Sequence, residues 1–300
     1  MFWTSLMKVP FRLGYVQAGG VPTRYLEAGE GPALVLIHGA GAHLEVFLPV
    51  VPLLAQGRRV IAYDMVGHGL SAKPPVDYTT EVLSTHLLDL LSALELPRAS
   101  LLGHSLGALV AAWTAAYRPE RVDRLVLVTP GSVADDPEVL KRIREGTLRA
   151  LERLEQDAIR ERLVWLFQRP EALTEELIAL RLGIYRLPEY REAALRALVM
   201  QDPEVRRRFG WREEWARRMT KPILLLWSRK DPGTPAEGLH LLRKWWPQMA
   251  ETELEGVGHF PMLEDPKGFA QAVRSFLEFR GYRGVRPCFV KDSKGGEGKW

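Results

Sequence analysis

Five short apolar runs punctuate the chain: Ala33 to His38, Arg59 to Tyr63, Ala99 to Gly103, Arg124 to Val128 and Ile223 to Ser228. Each is nearly continuous in Val, Leu, Ile or Ala, and none is long enough for a helix of ordinary length. Such runs read as strands buried on both faces of a parallel sheet. Leu13 to Gln17 and Val21 to Glu27 predict a leading hairpin that turns at Ala18-Gly19-Gly20. A last short strand is expected near Glu251 to Leu254.

Between the runs the period changes. Leucines recur at helical spacing from Thr80 to Leu94, with Pro97 as the expected stop, and Ser105 to Tyr117 is alanine-rich and ends before Pro119. Thr234 to Trp246 and Pro266 to Tyr282 predict two more helices. Strands alternating with helices make the fold class α/β, a doubly wound and mostly parallel sheet covered by helices on both faces. One segment breaks the alternation. Ser132 to Met219 has no buried-strand pattern and reads as amphipathic helices separated by Pro170, Pro188 and Pro203. An insertion at a strand's C-terminal end lies where such sheets bind ligands, so it is expected to be a lid. The predicted organisation is therefore a core in two parts, residues 1–131 and 220–282, a helical lid at 132–219, and a flexible tail at 283–300.

Composition narrows the class. The chain has 300 residues, 46% hydrophobic and 26% charged, which suits a globular protein with a sizeable core. The net charge of +4 is spread among interleaved acids and bases, with no basic block to track phosphates, so no nucleic-acid partner is expected. The single cysteine, Cys288, cannot form an internal disulfide and points to a reducing, cytoplasmic setting. Met1 to Leu13 lacks the features of a secretory leader, and no apolar stretch is long enough to span a membrane. Asparagine is absent and arginine far outnumbers lysine. Heat selects for that bias, and a thermophilic source is the expectation.

The chemistry is concentrated in a few short motifs. Gly103-His104-Ser105-Leu106-Gly107 stands between a strand and a helix, where only small residues fit the flanks of a sharp turn that lifts the serine above the sheet. Ser105 is the candidate nucleophile. His38-Gly39-Ala40-Gly41 follows the first long strand, and the Ala40 and Leu106 amides are the expected donors to an oxyanion. Serine needs a base. His259, in a glycine-flanked loop late in the chain, is the candidate, while His38 and His104 are assigned to structure and His43, His68, His86 and His240 receive no role. Asp231, in Arg229-Lys230-Asp231-Pro232, is the candidate acid that orients the base. Asp135, Asp136 and Glu255 are its rivals.

These segments, with Asp64-Met65-Val66-Gly67-His68-Gly69-Leu70-Ser71, resemble the α/β-hydrolase superfamily from Leu13 to Tyr282. The likeness implies that Asp64 and Ser71 brace a loop beside the site. It is nearest to lidded members: carboxylesterases, carbon–carbon bond hydrolases of aromatic degradation, enol-lactonases and cofactor-free haloperoxidases. Serine at the nucleophile position departs from haloalkane dehalogenases and epoxide hydrolases. The chain also lacks the asparagines that carbon–carbon hydrolases typically carry, and has Ala108 where they usually have glycine.

The resulting expectation is a serine hydrolase that cleaves a carboxylic ester or related acyl bond of a small-molecule substrate, without metal or cofactor. The alternatives are carbon–carbon bond hydrolysis and a non-catalytic small-molecule receptor. Gly39, Gly41, Trp165, Tyr185 and Phe260 are candidate substrate-binding residues. Phe167 and Ile184 could join them but are expected in the lid core. Arg181 and Arg186 could meet a substrate carboxylate, although most arginines of that segment are expected to be solvated.

Overall fold

The computed structural model describes residues 2–134 and 136–279. The expected tail with Cys288, and Asp135, lie outside them. Eight strands form one sheet: β1 (Phe11–Ala18), β2 (Val21–Ala28), β3 (Ala33–Ile37), β4 (Arg59–Tyr63), β5 (Ala99–His104), β6 (Val122–Val128), β7 (Ile223–Trp227) and β8 (Ala250–Glu253). Their spatial order is β1-β2-β4-β3-β5-β6-β7-β8. β1 and β2 pair antiparallel, as does β2 with β4, and the remaining pairings are parallel.

The apolar runs form strands because successive side chains point to opposite faces and both faces are covered. Leu34, Leu36, Leu102, Val126, Leu224 and Leu226 enter one core. Their neighbours Val35, Ile37, Leu101, Leu125, Leu127 and Leu225 enter the other. A slip of one residue would exchange the two sets, so register is strongly specified. Ahead of the sheet runs α1 (Phe2–Leu6), and α2 (Val51–Leu54) leads into β4. α3 (Thr80–Ala93) and α4 (Leu106–Tyr117) cover the second core. α3 stops ahead of Pro97, where Glu95 takes a left-handed φ of 55°.

Between β6 and β7 the chain forms six α-helices: α5 (Pro137–Arg153), α6 (Gln156–Val164), α7 (Glu175–Tyr185), α8 (Tyr190–Ala197), α9 (Pro203–Phe209) and α10 (Glu214–Arg218). Local chemistry sets several of their starts. Asp136 caps α5, Thr174 caps α7 and Asp202 caps α9, each accepting from amides of the first turn. α11 (Ala236–Trp245), α12 (Pro261–Glu264) and α13 (Pro266–Glu278) are the last of the described helices. No described helix is long and apolar enough to cross a membrane.

The sheet's C-terminal edge has one crevice that topology opens. β3 leads to β4 on one side while its other neighbour is β5, so the chain winds in opposite directions from this point. That is where open α/β sheets bind ligands. A buried ionic cluster holds the loops around it. Arg24 on β2 donates Nε to Asp64 at 2.7 Å and its two Nη atoms to Glu45 at 2.9 and 2.8 Å. Asp64 also accepts from the Leu44 and Leu70 amides, both at 2.8 Å. Ser71 donates to the Asp64 carbonyl at 2.7 Å and accepts from the Arg24 amide. Asp64 and Ser71 therefore brace the loops after β3 and β4, the role the motif implied. His43, given no role from sequence, meets Glu45 through Nδ1 at 2.8 Å, and His86 accepts from the Val66 amide.

Burial pushes the Glu45 carboxyl upward, but the His43 and Arg24 bonds and charges outweigh it and hold it below its ordinary 4.5. A depressed folded-state value contributes stability that is fully present above the unfolded value and is lost as pH falls through the folded one. Glu45→Gln is therefore expected to cost roughly 3 kcal/mol at pH 7, because Arg24 keeps its charge and loses a partner. The gap from wild type should shrink once pH drops below 4.5. Urea unfolding at pH 7 and pH 3 measures it, and an equal gap at both would contradict the assignment.

Candidate active site

The turn at Ser105 is the geometric centre of the crevice. Ser105 has φ 53° and ψ −115°. Such a backbone costs about 1–3 kcal/mol for a residue with a Cβ and persists only where its surroundings enforce it. They do so by contact. A Cβ on Gly103 would lie 2.1 Å from the Gly107 carbonyl oxygen, and one on Gly107 would lie 2.2 Å from that of Ile37. Both flanks must be glycine for the strand, the turn and α4 to close. The Ser105 amide donates to the Val128 carbonyl at 3.0 Å, which ties the turn to β6. The hydroxyl faces Gly131, where a Cβ would sit 3.0 Å from Oγ.

His259 arrives from the opposite side of the edge, in the loop after β8. Its amide donates to the Leu166 carbonyl at 2.7 Å. Its own carbonyl accepts from His104 Nε2 at 2.8 Å and Thr129 Oγ1 at 3.0 Å. Glu264 secures the loop by accepting from the Gly258 amide at 2.9 Å and, through its other oxygen, from Gln168 and Arg169. With the backbone held, the ring lies against Asp231, Nδ1 to Oδ1 at 2.8 Å. Asp231 is itself fixed by the Gly233 amide at 2.7 Å. An ionised carboxylate only accepts, so the bond assigns the proton to Nδ1 and leaves the Nε2 lone pair for a substrate-side proton.

Both residues are buried and His259 shares one cavity with Ser105. Among the described residues the Ser105 hydroxyl makes no hydrogen bond. Serine–histidine bonds at such sites often tighten only with substrate bound. Of the rivals of Asp231 among the described residues, Asp136 caps α5 and Glu255 is exposed.

The expected oxyanion donors flank the same cavity. Ala40 follows β3 and Leu106 opens α4, on adjacent strands whose ends pair Ile37 with Gly103. Neither amide donates to a protein acceptor among the described residues. The N-terminus of α4 adds its dipole at that point. His38 and His104 keep the structural roles expected of them. His38 donates Nδ1 to the Gly39 carbonyl and accepts from the Met65 amide, and burial holds it well below its ordinary value. His104 is kept neutral first by burial and then by the proximity of His259.

The cavity measures about 150 Å³ and is roofed by the inserted helices. Gly39, Gly41, Trp165, Tyr185 and Phe260 all line it. Phe167 and Ile184 do not; both pack in the core, and Phe167 stacks on Phe260 at 4.9 Å. The lining has no aspartate or glutamate, but it has Arg162, Arg181 and Arg206.

Arg181 is an exception to the solvation expected of most arginines in this segment. It is 1% exposed, and its Nε and Nη2 atoms have no hydrogen-bond partner. Burial lowers it to about 10, so it remains charged at neutral pH. An unpaired buried charge costs several kcal/mol and needs a compensating anion. Arg186 does match the expectation: it is exposed and donates to the Leu154 carbonyl. Sequence pattern offers a weak pointer to Arg181, since it sits one turn before Tyr185 on the same face of α7. Thr129 and Glu264 carry no such signal.

Comparison with known proteins agrees with this architecture. Residues 32–266 match the family model described as alpha/beta hydrolase fold. The chain is 32% identical to a 2-hydroxy-6-oxo-6-(2'-aminophenyl)hexa-2,4-dienoic acid hydrolase of Metapseudomonas resinovorans, over 89% of this chain and 91% of the relative. It is 29% identical to a pimeloyl-[acyl-carrier protein] methyl ester esterase of Aeromonas hydrophila, over 83% of this chain and 96% of that one. A solved serine hydrolase involved in carbazole degradation superposes with a TM-score of 0.71 at 30% identity, covering 89% of this chain and 99% of the other. With its mostly parallel eight-stranded sheet and matching family model, the chain belongs to the α/β-hydrolase family.

Proposed function

We propose that the protein is a serine hydrolase that cleaves the acyl bond of a small substrate bearing a carboxylate. The observation that carries this reading is the placement of His259, bonded through Nδ1 to Asp231 and facing the cavity that contains Ser105. Ser105 attacks the carbonyl carbon as His259 Nε2 takes its proton. Asp231 stabilises the imidazolium. The Ala40 and Leu106 amides receive the oxyanion, an interaction whose loss costs about 10²–10³ in rate per donor in known cases. His259 then protonates the leaving group, and water reverses the sequence to free Ser105.

Arg181 supports the carboxylate. Its charge is buried in the cavity wall, and an anionic substrate would supply the missing partner. The helices between β6 and β7 act as a lid in this reading. Closing them over the substrate removes water, which strengthens the Arg181 contact and limits side reactions.

For the bond broken, an ester is the first reading. The second is a carbon–carbon bond next to a ketone in an unsaturated oxo-acid. Similarity to the dienoic acid hydrolase relative supports it; the carboxylate in that relative's name is the partner Arg181 needs in either reading. The two readings share Ser105, His259 and the oxyanion donors, and differ in whether the leaving group is an alcohol or a carbanion that must be protonated.

Three experiments test this. Ser105→Ala should lower kcat/KM by roughly 10⁴-fold or more on whichever substrate turns over; near-normal activity would remove Ser105 from the chemistry. A chain-length series of nitrophenyl esters, run beside a 2-hydroxy-6-oxo-dienoic acid, decides the bond. In both assays Arg181→Gln should cost about 10- to 100-fold with a carboxylate-bearing substrate and little with a neutral ester, as expected for lost charge-assisted hydrogen bonds. Equal losses on charged and neutral substrates would contradict the role given to Arg181.

A further inference from the structure

A second arginine enters the same cavity under different restraint. Arg162, on α6, donates Nε to Thr147 Oγ1 of α5 at 3.1 Å. That bond aims the guanidinium head. The stem passes beside Gly146, whose position lies in ordinary contact with Arg162 Cγ. The head reaches over Gly41: a Cβ on that glycine would lie 3.0 Å from Nη2 and 3.4 Å from the Tyr185 hydroxyl. Gly41 has φ +62°, so a side chain there would be strained as well as crowded. The Tyr185 hydroxyl is buried within reach of the Arg181 guanidinium and the Tyr190 hydroxyl, but makes no hydrogen bond of good geometry to either. No carboxylate pairs with Arg162 or Arg181 among the described residues. Burial is the main cause that lowers Arg181; Tyr185 opposes it, and Arg162 is near enough to disfavour the Arg181 charge further. One substrate carboxylate would balance only one of them.

We propose that Arg162, Arg181 and the Tyr185 hydroxyl form a dianion subsite over Gly41, and that the natural substrate carries two carboxylates on the part seated there. The inference rests on the reading of Arg181 as a carboxylate anchor and extends it to a second charge. Two guanidiniums delivered by separate helices suit two separate carboxylates. Spacing limits the chain between them and the reacting carbonyl. Gly41 directly follows Ala40, and consecutive Cα atoms are about 3.8 Å apart, so the subsite adjoins the oxyanion donors. The charged groups therefore lie a few bonds from the scissile carbonyl, as in short acyl compounds that keep two free carboxylates besides the bond broken. Thr147 is a positioning residue in this arrangement, acting through Arg162.

Binding of non-hydrolysable anions tests this without relying on turnover. Calorimetric titration at fixed ionic strength compares succinate with butyrate on the wild type, Arg162→Gln, Thr147→Val and Arg181→Gln. Wild type should prefer succinate by about tenfold or more, the scale of a charge-assisted pair. Arg162→Gln should bring the ratio near one while butyrate binding stays within about twofold. Thr147→Val, which keeps both charges and the side-chain volume, should lower the ratio to an intermediate value. A wild-type ratio near one, or a ratio unchanged in both α5 and α6 variants, overturns the proposal. If butyrate binding is lost in Arg181→Gln yet succinate is not preferred by the wild type, only the second charge fails. If butyrate binds equally well to Arg181→Gln, or neither anion binds the wild type, the carboxylate reading fails with it.

Discussion

The whole site depends on how closely three pieces of backbone approach at Ser105. β5 must end, turn and become α4 within a few residues, against the end of β3. That is possible only because Gly103 and Gly107 offer hydrogens where carbonyl oxygens stand about 2 Å from any added carbon. The strained serine backbone follows from this contact. So does the position of its hydroxyl, above the sheet edge and beside the first amides of α4. The buried Arg24–Glu45–Asp64 cluster supports the arrangement from below, by fixing the loops that follow β3 and β4. Its ionic partners are worth little as net stability relative to apolar packing, but breaking one strands the others. Its use here is to hold loops that have no regular hydrogen-bond ladder of their own.

The base is held by different means. Three backbone contacts, from His104, Thr129 and Leu166, fix the His259 main chain before its ring is considered. Two of these come from the sheet core and one from the inserted helices. Glu264 adds a further tie between the His259 loop and the inserted segment. The position of the ring is therefore linked to the roof of the cavity. A shift of the helices between β6 and β7 would be felt at the imidazole, and this is where chemistry and any lid movement would meet.

Much of the architecture was legible in the chain because buried parallel strands have an unusual sequence pattern. The runs at β3 to β7 are apolar at consecutive positions, and no surface element tolerates that. Their structural bounds differ from the expected ones by a residue or two, as at β6, which begins at Val122 rather than Arg124. The short helices α1, α2 and α12 were not foreseen, since four or five residues give no period to read. At the site, glycine spacing and motif order pointed to Ser105, His259 and Asp231 because steric need leaves a local trace. Arg181 was undervalued for the opposite reason. Whether an arginine is solvated or buried depends on what folds over it, and α7 packs between α6 and α8 with Arg181 turned into the cavity they enclose. Thr129, Glu264 and His86 escaped for the same cause: each bonds a group distant in sequence (the His259 carbonyl, the Gln168 and Arg169 amides, and the Val66 amide), which composition and periodicity do not encode.

The most direct test of the central claim is to catch the acyl group in place. The protein would be mixed with an excess of an activated nitrophenyl ester, quenched in acid within the first turnover, and digested for peptide mass spectrometry. The account predicts one added acyl mass, confined to the peptide that contains Ser105, formed as nitrophenol is released in a burst close to the enzyme concentration. Steady hydrolysis with no adduct, or an adduct on a different residue, would contradict it.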